Sequence, residues 1–170
     1  ILDLGPGSGV NVPILAPRGH LDILDLSLGS LRHCRKAGAT GNLVLADATV
    51  APLRDHSYDL VTALDILEHL EDDATALHRW RTLLRDDGRL LLSVPALRSL
   101  WGRQDILAGH VRRYRRKEVE QRLRAAGFLI ERLSYFNTIL FPPILAVRLA
   151  MRPFLRKTAA DAPSAGQKPK

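Results

Sequence analysis

Short apolar runs alternate along this chain with stretches of helical period. The runs predict strands near residues 1–4, 20–26, 42–46, 58–64, 89–94 and 128–135, and the periodic stretches predict helices near 27–37, 71–84 and 116–126. Alternating β and α elements argue for an α/β fold, a doubly wound, mostly parallel sheet with helices on both faces. Leu90-Leu91-Leu92 is apolar at every position, as expected of a strand covered on both sides. In the second helix Ala74, Leu77, Trp80, Leu83 and Leu84 share one stripe, which assigns Trp80 to the core rather than to a ligand. Gly127 stands where a helix C′ glycine is expected. A chain of 170 residues can bury one sizeable core, and no internal repeat or second domain is visible. Residues 1–157 are read as the domain and 158–170, rich in Ala, Pro, Ser, Gly and Lys, as a disordered tail.

The first run leads into the chemistry. Ile1-Leu2-Asp3-Leu4-Gly5-Pro6-Gly7-Ser8-Gly9 reads as a strand entering a turn with glycines at alternate positions. Such glycines tolerate positive φ and let a ligand approach the backbone. Asp3 can fix that turn or accept from a cationic ligand group. The second strand ends at Asp25-Leu26, about twenty residues on, where a carboxylate can take both hydroxyls of a ribose. The third ends Ala46-Asp47-Ala48. The fourth runs Tyr58-Asp59-Leu60-Val61-Thr62-Ala63-Leu64-Asp65-Ile66-Leu67-Glu68-His69-Leu70, and Arg85-Asp86-Asp87-Gly88-Arg89 turns into the fifth.

The dinucleotide-binding fingerprint requires Gly or Ala where this chain has Val10, which disfavours an NAD-dependent oxidoreductase. The G-x-G-x-G turn with its upstream acid, and the four segments after it, instead resemble the class I S-adenosylmethionine-dependent methyltransferases of the type 11-like branch. The resemblance covers roughly residues 1–150, with five motifs in the expected order. It implies a Rossmann-like methyltransferase fold and S-adenosylmethionine as cofactor. It implies cofactor contacts at Asp3, Gly5, Gly7, Gly9, Asp25, Leu26, Asp47, Ala48, Leu64 and Asp65. The family usually ends its sheet with an antiparallel strand pair; residues 128–136 supply one candidate and no clear seventh strand follows. Ile1 is not an initiating methionine and lies within the first strand, so the chain reads as N-terminally truncated, with part of a substrate lid missing.

Charge and composition refine the acceptor. Residues 1–97 hold 9 Lys and Arg against 13 Asp and Glu, whereas 98–170 hold 16 against 5. The densest basic run is His110–Lys117. It reads either as a solvated arginine-rich loop or as a surface for an anionic acceptor. Nucleic acid is disfavoured because only Tyr114 interleaves the run. Residues 137–152 are unusually apolar but interrupted by a Pro pair and Arg148. They are too short and broken for a transmembrane span, and suit core docking, a greasy acceptor pocket or a peripheral membrane contact. The acceptor expected from these features is a small or lipid-linked molecule. The single Cys34 excludes an internal disulfide and suits a reducing, cytoplasmic setting. The six histidines show no metal-ligand spacing, so no metal is expected.

A hydroxyl acceptor calls for a general base. His69, just past the fourth strand, is the first candidate and His110, in the basic loop, the second. Asp65 is an alternative contact for the cofactor's amino-acid end. A non-catalytic module that binds cofactor or partner without turnover is the competing class.

Overall fold

The computed structural model describes residues 1–136 together with Thr138, Phe141, Pro142 and Leu145. The apolar segment at 137–152 and the tail at 158–170 thus lie almost wholly outside the described residues. Contacts divide the chain into two units, Ile1–Leu133 and Ser134–Lys170. In the second, Tyr135 and Phe136 are exposed.

The first unit is built on five parallel strands, β1 (Leu2–Leu4), β2 (Asp22–Asp25), β3 (Leu43–Leu45), β4 (Tyr58–Leu64) and β5 (Leu84–Ser93), in the order β3-β2-β1-β4-β5. Among the described residues α1 (Val12–Leu15), α2 (Leu28–Lys36) and α3 (Asp73–Leu83) lie between strands, and α4 (Arg103–Ala108) and α5 (Arg116–Ala125) follow β5. Adjacent strand residues point to opposite faces, so β1 and β2 feed two separate cores. Leu2, Leu4 and Leu24 pack on one face in the cluster holding Trp80, Val119 and Leu123 of α3 and α5. Ile23 packs on the other with Val12, Leu31 and Cys34 of α1 and α2. Strand order reverses between β1 and β4, and in such sheets the crevice at the carboxyl ends of the diverging strands is where ligands bind.

The sequence places α2, α3 and α5 within a residue or two of their observed ends. Ser27 and Asp72 explain two of the starts, since each accepts from a backbone N–H three residues on. Four expectations need correction. Residues 128–136 form no strand. A strand exists only as one side of a ladder, and no partner for it stands beside β5 among the described residues; Phe128, Ile130 and Leu133 pack on the core instead. Leu91 is 53% exposed, because the α1–α2 layer does not extend over β5. On α3, Ala74 is exposed, while Asp73 and Ala76 are buried in addition to Leu77, Trp80 and Leu83. Asp73 is accommodated there by Tyr114 Oη (2.8 Å), Arg122 Nε (2.6 Å) and Arg112 (3.0 Å). The turn read at 85–88 is absorbed into β5 as a register shift against β4.

Candidate active site

The glycine turn leaves β1 at the switch point. Gly5, Gly7 and Gly9 have φ of +60°, +56° and +75°, the left-handed region the sequence called for. The two central positions differ in what surrounds them. A Cβ on Gly5 would stand 2.4 Å from Ile66 Cδ1, so this glycine makes room for a side chain two residues past β4. A Cβ on Gly7 would meet nothing within 4 Å, so this one borders open space. Gly5 N–H donates to Leu24 O at 2.8 Å and fastens the turn to β2.

One of the strand-end acids touches this turn directly. Asp25 accepts from Ser27 N–H through Oδ1 (2.7 Å) and from Gly7 N–H through Oδ2 (3.4 Å), joining the β2 tip to the glycine turn. Leu26 beside it is exposed. Asp47 is exposed, with Thr49 N–H on its Oδ1 at 2.7 Å. Ala48 is buried and its carbonyl takes the Trp80 Nε1–H at 2.9 Å, which ties this loop to α3. Leu64 is half-buried and Asp65 exposed, the latter at φ +54° with Ser93 Oγ donating to its Oδ1 (3.0 Å).

Asp3 is the middle residue of β1. It is buried on the α1–α2 face, opposite its register partner Thr62, whose hydroxyl donates to Oδ1 at 2.6 Å. Its Oδ2 has no partner among the described residues. Burial pushes this carboxyl up to about 6, opposed by the Thr62 bond and helped by the nearby Asp25 charge.

The two histidines, read separately from the sequence, come together. Their rings meet edge to face with centroids 4.8 Å apart. His69 is carried by the 3-10 turn Leu67–His69 after β4, and His110 by the loop between α4 and α5. That loop is anchored by Leu97 N–H to Tyr114 O (3.1 Å), Tyr114 N–H to Pro95 O (3.0 Å) and Val111 N–H to Glu68 O (2.9 Å). Two further carboxylates complete the cluster, and sequence reasoning missed both. Glu68 is fully buried, neither of its oxygens has a hydrogen-bond partner among the described residues, and desolvation raises its pKa to about 7. Asp105 is fully buried in α4 and accepts from His110 Nδ1 (3.0 Å), Arg113 Nε (2.6 Å) and Gly102 N–H (2.8 Å). Burial alone would raise its pKa, but those donors outweigh it and hold the carboxyl below the ordinary value. Glu68 was legible only as part of a motif, and Asp105 carried no signal, since its role depends on a loop folding back over α4.

Two arginines of the basic run, and Arg98 upstream of it, are held in ion pairs. Arg112 meets Asp73, Arg113 meets Asp105, and Arg98 meets Glu118 at 3.1 Å. Among the described residues no helix is long and apolar enough to cross a membrane.

Residues 2–92 match the family described as "Methyltransferase domain". The chain is 36% identical over 147 residues to malonyl-[acyl-carrier protein] O-methyltransferase of Methylococcus capsulatus, covering 79% of this chain and 53% of that protein. It is 28% identical over 101 residues to ubiquinone biosynthesis O-methyltransferase of Neisseria meningitidis, covering 55% and 42%. The chain thus spans about half the length of these curated relatives. Among solved structures, an S-adenosylmethionine dependent methyltransferase from Mesorhizobium loti shares the fold with a TM-score of 0.67 at 23% identity, over 87% of this chain and 84% of that one. Phosphoethanolamine N-methyltransferase 2 of Haemonchus contortus does so with a TM-score of 0.69 at 19% identity, over 96% and 40%.

Proposed function

The chain belongs to the class I S-adenosylmethionine-dependent methyltransferases, and from that premise we propose that it binds S-adenosylmethionine at the β1–β4 switch point and methylates an oxygen of a small or lipid-linked acceptor. When bound, this cofactor supplies a methyl group already activated by its sulfonium. The residues present suit such a ligand. Gly7 leaves room for a close approach to the backbone, and Asp3 offers a buried, unpartnered carboxylate oxygen behind the turn.

Asp25 carries the reading. It stands at the tip of β2, and its 3.4 Å contact with Gly7 N–H is long enough to yield to a stronger partner such as a ribose hydroxyl. Leu26 packs beside the nucleoside in this reading. Asp47 and Ala48 face the adenine, and Gly5, Gly9, Leu64 and Asp65 border the amino-acid end. The chain's remaining work is to hold an acceptor in line and remove its proton. We assign His69 and His110 to that side. The Gly109 carbonyl, 3.2 Å from His69 Nδ1, and the Asp105 carboxylate, beside His110 Nδ1, can only accept, so each imidazole donates there and keeps an Nε2 lone pair. Oxygen as the acceptor atom is supported by the names of the Methylococcus and Neisseria relatives.

Titration calorimetry with S-adenosylhomocysteine tests the proposal, with NADH as the control. Asp25→Ala is expected to weaken binding by about 1–3 kcal/mol, the cost of a lost buried hydrogen bond. A folded chain that binds neither ligand, or an Asp25→Ala variant that binds as tightly as the parent, would overturn it.

A further inference from the structure

Among the described residues Glu68 is a carboxylate with no exposed surface and no hydrogen-bond partner on either oxygen. Such a group is costly to bury unless something cationic meets it. The nearest imidazole nitrogen, His110 Nε2, is 3.8 Å from Oε1, beyond hydrogen-bonding distance. The surrounding charges do not neutralise it either. Asp65 and Asp105 oppose its ionisation, its own backbone N–H and Arg113 favour it, and Arg113 is already engaged by Asp105.

We propose that Glu68, His69 and His110 bind one divalent first-row metal ion, with two imidazole nitrogens and a carboxylate oxygen as its ligands. Their ligand atoms lie within 4.8 Å of one another. Bonds of about 2.0–2.1 Å set ligand atoms roughly 3–4 Å apart, so a small inward shift closes the set. The supporting contacts are those of a built metal site. A ligating histidine characteristically gives its other ring N–H to a carboxylate or a backbone carbonyl. His110 has Asp105 Oδ1 on its Nδ1 at 3.0 Å, and His69 has Gly109 O on its Nδ1 at 3.2 Å. Both rings are thereby fixed in the tautomer that leaves Nε2 to coordinate. The mixed nitrogen and oxygen set favours zinc, manganese, iron or cobalt over magnesium and calcium, which take oxygen ligands. His69 is exposed, which gives the ion a path from solvent. His69 and His110 are 41 residues apart and come from separate loops, so no short ligand spacing could have announced the site.

The site's chemical use rests on the methyl-transfer reading. It lies past the carboxyl end of β4, and a cation there lowers the pKa of a coordinated acceptor hydroxyl. In that role the imidazoles would act through the metal rather than as free bases.

Chelator-treated chain titrated with Co²⁺, followed by visible absorption, tests the proposal, with S-adenosylhomocysteine binding measured in parallel. One Co²⁺ per chain is expected, displaced by Zn²⁺. His69→Ala, His110→Ala and Glu68→Gln should each weaken Co²⁺ binding by at least about tenfold while keeping the cofactor analogue. Three of the chain's other histidines, His20, His33 and His56, serve as internal controls for casual binding. No Co²⁺ band in a chain that binds the analogue overturns the metal site alone. Undiminished binding in the exposed His69→Ala variant and in Glu68→Gln overturns it as well. Co²⁺ binding lost in the variants but no analogue binding in the parent upholds the metal site and sinks the cofactor reading instead.

Discussion

Asp3 is a carboxyl group buried in the interior of a strand, and its energetics set a pH signature. Its folded pKa of about 6 lies above its ordinary value of 3.8, chiefly because burial disfavours the charge. A raised folded pKa means the folded state binds the proton more tightly than the unfolded chain. The stability this confers is complete below about pH 4 and is lost as pH rises through 6. Asp3→Asn mimics the protonated form, so the variant should not suffer that loss. Urea unfolding between pH 4 and 7.5 should show the parent losing about 2–3 kcal/mol relative to the variant. A difference between the two that does not change with pH would remove the argument. Glycine φ and the strand-end acids were legible at this scale because they follow from local geometry. Asp3's orientation was not: it depends on Thr62, which β4 brings alongside from 59 residues away.

At the scale of elements, the Trp80 side chain joins α3 to the loop after β3. Its ring is fully buried and its Nε1–H meets Ala48 O at 2.9 Å. Trp80→Phe keeps most of the apolar volume but strands that buried carbonyl. A loss of about 1–3 kcal/mol is expected in denaturant unfolding, and a neutral result would show the bond to be dispensable. Because the same loop carries Asp47, weaker binding of S-adenosylhomocysteine should accompany the loss. The helical stripe that placed Trp80 in the core was readable from period alone, yet it misplaced Ala74 and missed Asp73. Period tells which face is inward, but not that Tyr114, Arg112 and Arg122 converge to make a buried aspartate affordable at the rim. Residues 128–136 failed as a strand for the related reason that pairing is a property of two segments, not one.

For the whole molecule, the doubly wound order carries the functional expectation, since it sets the glycine turn, Asp25 and the β4 end around one crevice. A ligand that binds only the folded state stabilises it by mass action. S-adenosylhomocysteine at about a hundredfold its Kd should add about 2.7 kcal/mol. That corresponds to a rise of roughly 5–10 °C in the Tm of a chain this size. NADH at the same concentration should leave the Tm unmoved. A shift with NADH and none with the homocysteine derivative would reverse the reading of Val10. The uneven charge, acidic before residue 98 and basic after it, means less than its size suggests. Arg112 and Arg113 of the basic run are held by Asp73 and Asp105, and Arg98 by Glu118, so part of this positive charge braces the fold.

By itself the sequence determined the alternation of strands and helices, the positive-φ turn, the acids at successive strand ends and the family they resemble. Each of those is written within a few neighbouring residues, through backbone sterics and side-chain period. The tertiary structure alone decided that His69 and His110 share one site, that Glu68 lies buried and unpartnered beside them, and that Asp105 and Gly109 fix their tautomers. Those facts depend on a loop returning across the carboxyl edge of the sheet, and a contact between residues some forty apart leaves no local trace in the chain.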